Sequence, residues 1–187
     1  MVRWVLLMVV LGCAPAAQAQ DGGAGLMQGL PGKTVKKLRD APERFITEAA
    51  GLILGHGGAR GIDAAGIERF IALERAGHRA REMRRLLLAD LDNDGAVTGA
   101  EVAVLAAAVS AGERGRLQMG HRAADADRDG AISMAELRAH AQARALEQLS
   151  DADAELLRGF IGFDLDGDGF VSVEEVTRVA QALKQEV

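Results

Sequence analysis

The sequence predicts an all-α protein. From Lys33 onward the chain alternates helical stretches with short loops. No segment shows a run of alternating apolar and polar residues bounded by hairpin turns, which argues against an extended β-sheet. Hydrophobic residues make up 49% of the 187 residues but aromatic ones only 3%, so the core is expected to be aliphatic. This length suits one domain or two small lobes.

Residues 1–19 are predicted to be a secretory signal peptide. Arg3 supplies a positive start, residues 4–11 form an apolar stretch, and residues 17–19 form a small-residue cleavage site. The apolar stretch is shorter than the ~18 to 20 residues that a membrane helix needs, so no transmembrane span is expected. We therefore expect export, to a periplasmic or secreted location.

Cys13 leaves a second route of export open. Residues 10–13 resemble the lipobox of bacterial lipoproteins, in which the cysteine carries a lipid anchor. The cysteine lies early for that role, which favours cleavage after Ala19. The chain contains no second cysteine, so no internal disulfide is expected.

The next segment, residues 20–39, reads as a flexible glycine-rich tether followed by a basic segment. Residues 20–32 are rich in glycine and lack apolar periodicity. We expect the folded domain to begin near Asp40, which is predicted to cap a helix that starts at Pro42.

Three twelve-residue segments repeat one pattern, D-x-D-x-D-G-x-[VI]-[ST]-x-x-E. We name them loop 2 (residues 90–101), loop 3 (residues 125–136) and loop 4 (residues 164–175). The pattern concentrates oxygen donors, which suits calcium, a hard cation that takes six to eight oxygen ligands.

Each loop position has a predicted role. Positions 1, 3 and 5 supply carboxylates: Asp90, Asp92 and Asp94; Asp125, Asp127 and Asp129; Asp164, Asp166 and Asp168. Position 7 offers its backbone carbonyl, and position 9 binds directly or through water: Ala96, Ala131 and Phe170; Thr98, Ser133 and Ser172. Position 12 supplies two oxygens: Glu101, Glu136 and Glu175. The sequence thus predicts three Ca²⁺ sites, with Mg²⁺ as a competitor.

The second half of each loop also predicts the start of a helix. A hydroxyl at position 9 followed by glutamate at position 12 is a capping box, which satisfies free amides at a helix N-terminus. Four carboxylates around one site repel each other, so calcium should stabilise the protein.

These loops resemble those of the EF-hand calcium-binding proteins, and of an exported, calmodulin-like bacterial type in particular. The resemblance implies that hands pair through the apolar residue at loop position 8, in short two-residue β ladders. Dockerins carry similar loops, but their repeats lack the full entering helix that the segments before each loop predict here. We expect two lobes, at residues 40–110 and 111–187, each holding one pair of hands.

Since EF hands pair, a further hand is expected before loop 2. Stepping back 35 residues from Asp90 reaches residues 55–66, which we name loop 1. Its positions 1, 3, 5 and 12 carry no side-chain oxygen: Gly55, Gly57, Ala59 and Gly66. We interpret loop 1 as a degenerate hand that binds no metal, with Ile62 paired to Val97. The alternative is an ordinary glycine loop between two helices.

The function predicted from sequence is calcium binding by a calcium-responsive sensor or adaptor in an extracytoplasmic compartment. The alternative is a calcium buffer or a calcium-stabilised structural protein without a regulated target. A protein partner would bind an apolar groove, for which the candidates are Leu86, Leu105, Leu156, Leu183, Phe160 and Phe163.

Other functions find little support in the sequence. No residue pattern supports catalysis, so no enzymatic activity is expected. A net charge of -5 argues against a nucleic-acid partner. The basic run between Arg75 and Arg85 could meet an anionic surface, but a solvated helix face beside the acidic loops is the preferred interpretation.

Overall fold

The computed structural model of the protein describes residues 30–185, and in this range it is built mainly from helices. The all-α prediction is confirmed. The predicted signal peptide, Cys13 and residues 20–29 of the predicted tether lie outside the described residues. Among residues 30–185, no helix combines the length and the apolar character that a membrane span requires.

Eight α-helices, one 3₁₀ helix and two short strands follow each other within the described residues. They are α1 (Gly32–Asp40), α2 (Pro42–His56), α3 (Ala64–Leu87), β1 (Val97–Thr98), α4 (Gly99–Ala108), α5 (Ala111–Ala124), β2 (Ala131–Ile132), α6 (Met134–Gln148), α7 (Asp151–Arg158), the 3₁₀ helix (Gly159–Phe163) and α8 (Val173–Gln185). Each acidic loop lies between two of these helices, so each has the entering helix that dockerin repeats lack.

The exiting helices begin as predicted. The hydroxyl of Thr98 accepts a hydrogen bond from the backbone N–H of Glu101, and the carboxylate of Glu101 accepts one from the N–H of Thr98. The same reciprocal bonds join Ser133 to Glu136 and Ser172 to Glu175. The loops therefore start the helices that follow them.

The loops pair in an order that differs from the predicted one. β1 and β2 are antiparallel, with Val97 opposite Ile132, so loop 2 pairs with loop 3. Ile62 instead exchanges two backbone hydrogen bonds with Val171, of 2.9 and 2.8 Å, so loop 1 pairs with loop 4. The predicted pairing of Ile62 with Val97 is wrong.

The length of α3 explains this correction. α3 runs for 24 residues without interruption and joins loop 1 to loop 2. At about 1.5 Å per residue it holds the two loops roughly 36 Å apart, at opposite ends of one helix. Loops 1 and 2 therefore cannot meet, so loop 2 pairs with loop 3 and loop 1 pairs with loop 4.

Two hydrophobic clusters correspond to the two loop pairs. One surrounds loops 1 and 4 and includes Ile62, Phe163 and Val171, all with no exposed surface. The other surrounds loops 2 and 3 and includes Leu86 and Val97, which are also fully buried. We name them the 1–4 lobe and the 2–3 lobe. α3 and α6 contact each other between them.

A helix that the EF-hand interpretation left out belongs to the 1–4 lobe. α1 is formed by the basic segment, and it contacts α2 and α8. Its Leu38 is only 1% exposed, so the segment is part of the core. The prediction that Asp40 caps α2 is wrong, because Asp40 ends α1 and the cap residue is Ala41, which makes no side-chain bond. Pro42 disfavours helical backbone at Ala41, which separates the two helices.

Two arginines of the basic run on α3 bind to other parts of the fold. Arg75 donates to the backbone carbonyl of Leu149 at 3.1 Å and pairs with Asp151 at 2.8 Å. Arg79 donates to Gln142, on α6. These contacts hold α3 against α6 and the start of α7, whereas the three later arginines of the run are exposed.

Candidate metal centres

Loops 2, 3 and 4 share one set of internal hydrogen bonds. In loop 2, Oδ2 of Asp90 accepts from the N–H of Gly95, and Oδ1 of Asp94 accepts from the N–H of Ala96. The equivalent bonds recur in loop 3 from Gly130 and Ala131, and in loop 4 from Gly169 and Phe170. The backbone N–H groups therefore hold the carboxylates of positions 1 and 5 inside each loop.

The glycine at position 6 is required by its backbone. Gly95, Gly130 and Gly169 have φ angles of 87°, 93° and 85°, which residues with a side chain rarely adopt. This turn brings the N–H of position 6 back to the carboxylate of position 1.

The loops gather carboxylate oxygens into three clusters. Within each cluster the oxygens lie within 4.8 Å of one another, and the members are Asp90, Asp92 and Asp94; Asp125, Asp127 and Glu136; Asp164, Asp166 and Asp168. The other predicted side-chain ligands are not members of these clusters and accept hydrogen bonds from backbone N–H groups of their own loops: Asp129, Glu101 and Glu175. The hydroxyls of Thr98, Ser133 and Ser172 donate to the position-12 carboxylates.

Two buried oxygens show that a cation fits these clusters. Oδ1 of Asp90 and Oδ1 of Asp125 are buried and have no hydrogen-bond partner among the described residues. A buried carboxylate oxygen without a partner is costly, and a hard cation would satisfy it. The donor set consists entirely of oxygen, which suits calcium. Bound calcium would supply charge neutralisation here, and the loop carboxylates would hold it.

The position-12 glutamates are ionised well below neutral pH. Hydrogen bonds from the N–H and hydroxyl of Thr98 and from the N–H of Leu91 lower the pKa of Glu101 from 4.5 to about 2. Equivalent bonds from Ser133 and Ala126 lower the pKa of Glu136 to about 2. Burial pushes the pKa of Glu175 upward, but bonds from Ser172 and Leu165 outweigh it and lower the pKa. A cation therefore need not displace a proton from these groups at neutral pH.

Loop 1 has a different shape. Gly58 and Gly61 exchange backbone hydrogen bonds of 2.8 and 3.1 Å, which close a tight turn. A Cβ atom at Gly61 would lie 2.2 Å from the carbonyl oxygen of Val171, so the pairing with loop 4 requires glycine there. Asp63 accepts from the N–H of Gly66 and caps α3. Loop 1 therefore contributes its backbone to the pairing and offers no carboxylate at positions 1, 3, 5 and 12.

A cavity of about 540 Å³ lies in the 1–4 lobe, and the sequence predicted only some of the residues that line it. Its apolar wall includes Phe45, Leu52, Phe70, Leu149, Leu156 and Phe160. Leu156 and Phe160 were among the predicted groove residues. Of the others, Leu86, Leu183 and Phe163 are core residues, and Leu105 packs against the 2–3 lobe.

Comparison with known protein families adds an independent observation. A sequence model of the EF hand matches residues 122–139 and 157–180, which enclose loops 3 and 4. These matches support an EF-hand calcium-binding protein. Loop 2 lies outside the matched residues, although it repeats the hydrogen bonds of loop 3. Comparison with curated proteins gave no match, and comparison with solved structures gave none.

Replacing the position-12 glutamate should remove one predicted calcium site at a time. We expect Glu175→Gln to weaken calcium binding at loop 4 by on the order of 100-fold, because the attraction between a carboxylate and a contacting divalent ion is worth several kcal/mol even in water. Glu101→Gln and Glu136→Gln should act likewise on loops 2 and 3. Calorimetric titration should then count two sites instead of three.

Glu174→Gln is the matched control for Glu175→Gln. It makes the same change of charge at the neighbouring residue, whose side chain is exposed and is not a predicted ligand. Three undiminished sites in Glu175→Gln, or equal losses in both variants, would contradict the assignment of Glu175 as a ligand.

Proposed function

We propose that the protein is a calcium-responsive sensor or adaptor that binds three calcium ions and has no catalytic role. The observation that carries the sensor role is the position of the cavity. The helices that enter loop 4, α7 and the 3₁₀ helix, form one wall with Leu156, Leu157 and Phe160. A change in the angle between the helices of this hand would change the size of the cavity.

The cavity has the character of a site for an apolar side chain of a protein partner. Its volume lies within the range of ligand sites, and most of its lining surface is apolar. Lys33, Lys37, Glu48 and Asp153 line it as well, so both charges are present. These features favour an amphipathic segment of another protein, whose apolar face would enter the cavity.

Fluorescence of a hydrophobic dye, measured with and without calcium, tests this role. We expect calcium to raise dye binding severalfold, and Leu52→Asp to abolish the rise because Leu52 lines the cavity. Leu54→Asp is the control, since Leu54 lies two residues away on α2 and is 79% exposed. The rise should also disappear in Glu175→Gln. Dye binding that calcium does not change would contradict the sensor role.

One observation favours the alternative role as a calcium-stabilised structural protein or buffer. α1 packs against the 1–4 lobe, and the bonds of Arg75 to Leu149 and Asp151 tie α3 to the end of α6 and the start of α7. Such ties restrict the movement of helices. In this role calcium would raise stability without changing dye binding, with magnesium as a competitor at the same carboxylates.

Export to an extracytoplasmic compartment belongs to the same proposal and rests on the leader. The mass of the N-terminal peptide of the protein recovered from cells tests it. A first residue at Gln20 is expected for ordinary cleavage, and a lipidated Cys13 for the alternative anchor. An N-terminus at Met1 would contradict export through either signal.

A further inference from the structure

Loop 4 faces a different electrostatic environment from loops 2 and 3. Loops 2 and 3 pair with each other and together carry eight acidic residues and one basic residue, Arg128. Loop 4 carries five acidic residues but pairs with loop 1, in which Arg60 and Asp63 cancel. The pair formed by loops 2 and 3 therefore has a net charge of -7, and the pair formed by loops 1 and 4 has a net charge of -5. A cation at loop 4 is attracted by the smaller of these two charges. The weaker field favours weaker binding.

The first aspartate of loop 4 also differs from its equivalents. Oδ1 of Asp164 accepts a hydrogen bond of 2.7 Å from the N–H of Gly167. The equivalent oxygens of Asp90 and Asp125 are buried and have no partner within residues 30–185. Calcium would satisfy an unpaired oxygen in loops 2 and 3, whereas in loop 4 it would compete with an existing bond. The gain on binding is smaller at loop 4.

Arg60 brings a positive charge against loop 4. The carbon of its guanidinium lies 3.8 Å from the centre of the Phe170 ring, a cation–π contact between loops 1 and 4. Phe170 holds position 7, and its N–H donates to Oδ1 of Asp168 at 2.8 Å. The contact therefore holds Arg60 against Phe170, whose backbone carbonyl is a predicted calcium ligand.

We propose that Arg60 and the empty loop 1 make loop 4 the last of the three sites to fill. Loops 2 and 3 then bind calcium as a coupled pair, because the first ion relieves repulsion between eight facing carboxylates. Loop 4 binds alone, at a higher calcium concentration. Since the helices entering loop 4 form a wall of the cavity, the cavity responds only to this last ion. The inference rests on the proposed calcium binding and adds an order to it.

Calorimetric calcium titration of the protein and two variants tests the order. We expect two coupled strong sites and one weaker site, with Glu175→Gln removing the weaker phase alone. Glu101→Gln should remove one strong site and the coupling. Three equal, independent sites, or loss of a strong phase in Glu175→Gln, would overturn the proposed order. Absence of calcium binding at every loop would instead overturn the proposed function.

Substitution of Arg60 tests whether its charge weakens calcium binding at loop 4. Arg60→Ala should tighten the weaker site about fourfold at low ionic strength, the effect of one unit charge on a divalent ion across roughly 10 Å of water. The difference should vanish near 1 M salt, where the screening length is about 3 Å. Arg60→Lys should bind like the unmodified protein.

Arg44→Ala is the control for loss of an exposed arginine, since Arg44 pairs with Glu48 on α2. Calcium affinity at the three sites should be unchanged in Arg44→Ala. A weaker site that Arg60→Ala leaves unaltered at low salt, or that Arg44→Ala alters equally, would overturn the role of Arg60.

Discussion

Calcium should raise the free energy of unfolding by at least about 8 kcal/mol when its free concentration is 100 times the dissociation constant of the weakest of the three sites. Each site that binds only the folded chain contributes about 2.7 kcal/mol at this excess. The structure gives the reason for this selectivity, because the hydrogen bonds of the folded loops hold the carboxylates within 4.8 Å of each other in each cluster. An unfolded chain has no such clusters.

Urea unfolding with calcium and with a chelator measures this gain. Circular dichroism of the helices is the suitable signal, because the chain has no tyrosine and its single tryptophan, Trp4, lies in the predicted leader. The control combines Glu101→Gln, Glu136→Gln and Glu175→Gln, which should cancel most of the gain. Equal urea midpoints with calcium and with chelator would contradict calcium binding at these loops.

The sequence was most informative where function and local structure use the same residues. Asp90 and Gly95 are spaced so that the turn at position 6 returns its N–H to the first carboxylate, and the structure forms that bond. The capping box of Thr98 and Glu101 likewise starts α4. These are interactions within one loop, so they depend on spacing alone and can be read from the chain.

Pairing between loops could not be read in this way. Ile62, Val97, Ile132 and Val171 occupy equivalent positions and have similar side chains, so the sequence gives no preference among partners. The choice depends on whether the helix between two loops is broken. α3 continues through Gly77 without a break, whereas Val109 and Ser110 separate α4 from α5 and let loop 3 return to loop 2.

The cavity and the packing of α1 in the core could not be predicted from the sequence for a related reason. Phe45 and Phe70 come from helices on either side of loop 1, and Leu156 comes from the helix before loop 4. Only the pairing of loop 1 with loop 4 brings them together. The contact of Arg60 with Phe170 depends on the same pairing.

Ile62→Ala should lower the free energy of unfolding by about 2 to 5 kcal/mol in saturating calcium. Ile62 has no exposed surface and lies in the core of the 1–4 lobe, so its truncation leaves a cavity that the surrounding side chains fill only in part. The backbone bonds to Val171 do not need the side chain and should remain. Leu54→Ala is the control, and with Leu54 79% exposed it should change stability by less than about 0.5 kcal/mol.

A double-mutant cycle then decides which loop Ile62 meets. Side chains in contact show coupling energies of about 0.5 to 3 kcal/mol, so Ile62→Ala and Val171→Ala should deviate from additivity by that amount. Ile62→Ala and Val97→Ala should add to within about 0.5 kcal/mol, because the two residues belong to different clusters. Coupling of Ile62 to Val97 instead would restore the pairing of sequence neighbours. It would also require a break in α3, since the intact helix holds the two loops apart, and loop 4 would then lose the neutral partner on which its late filling depends.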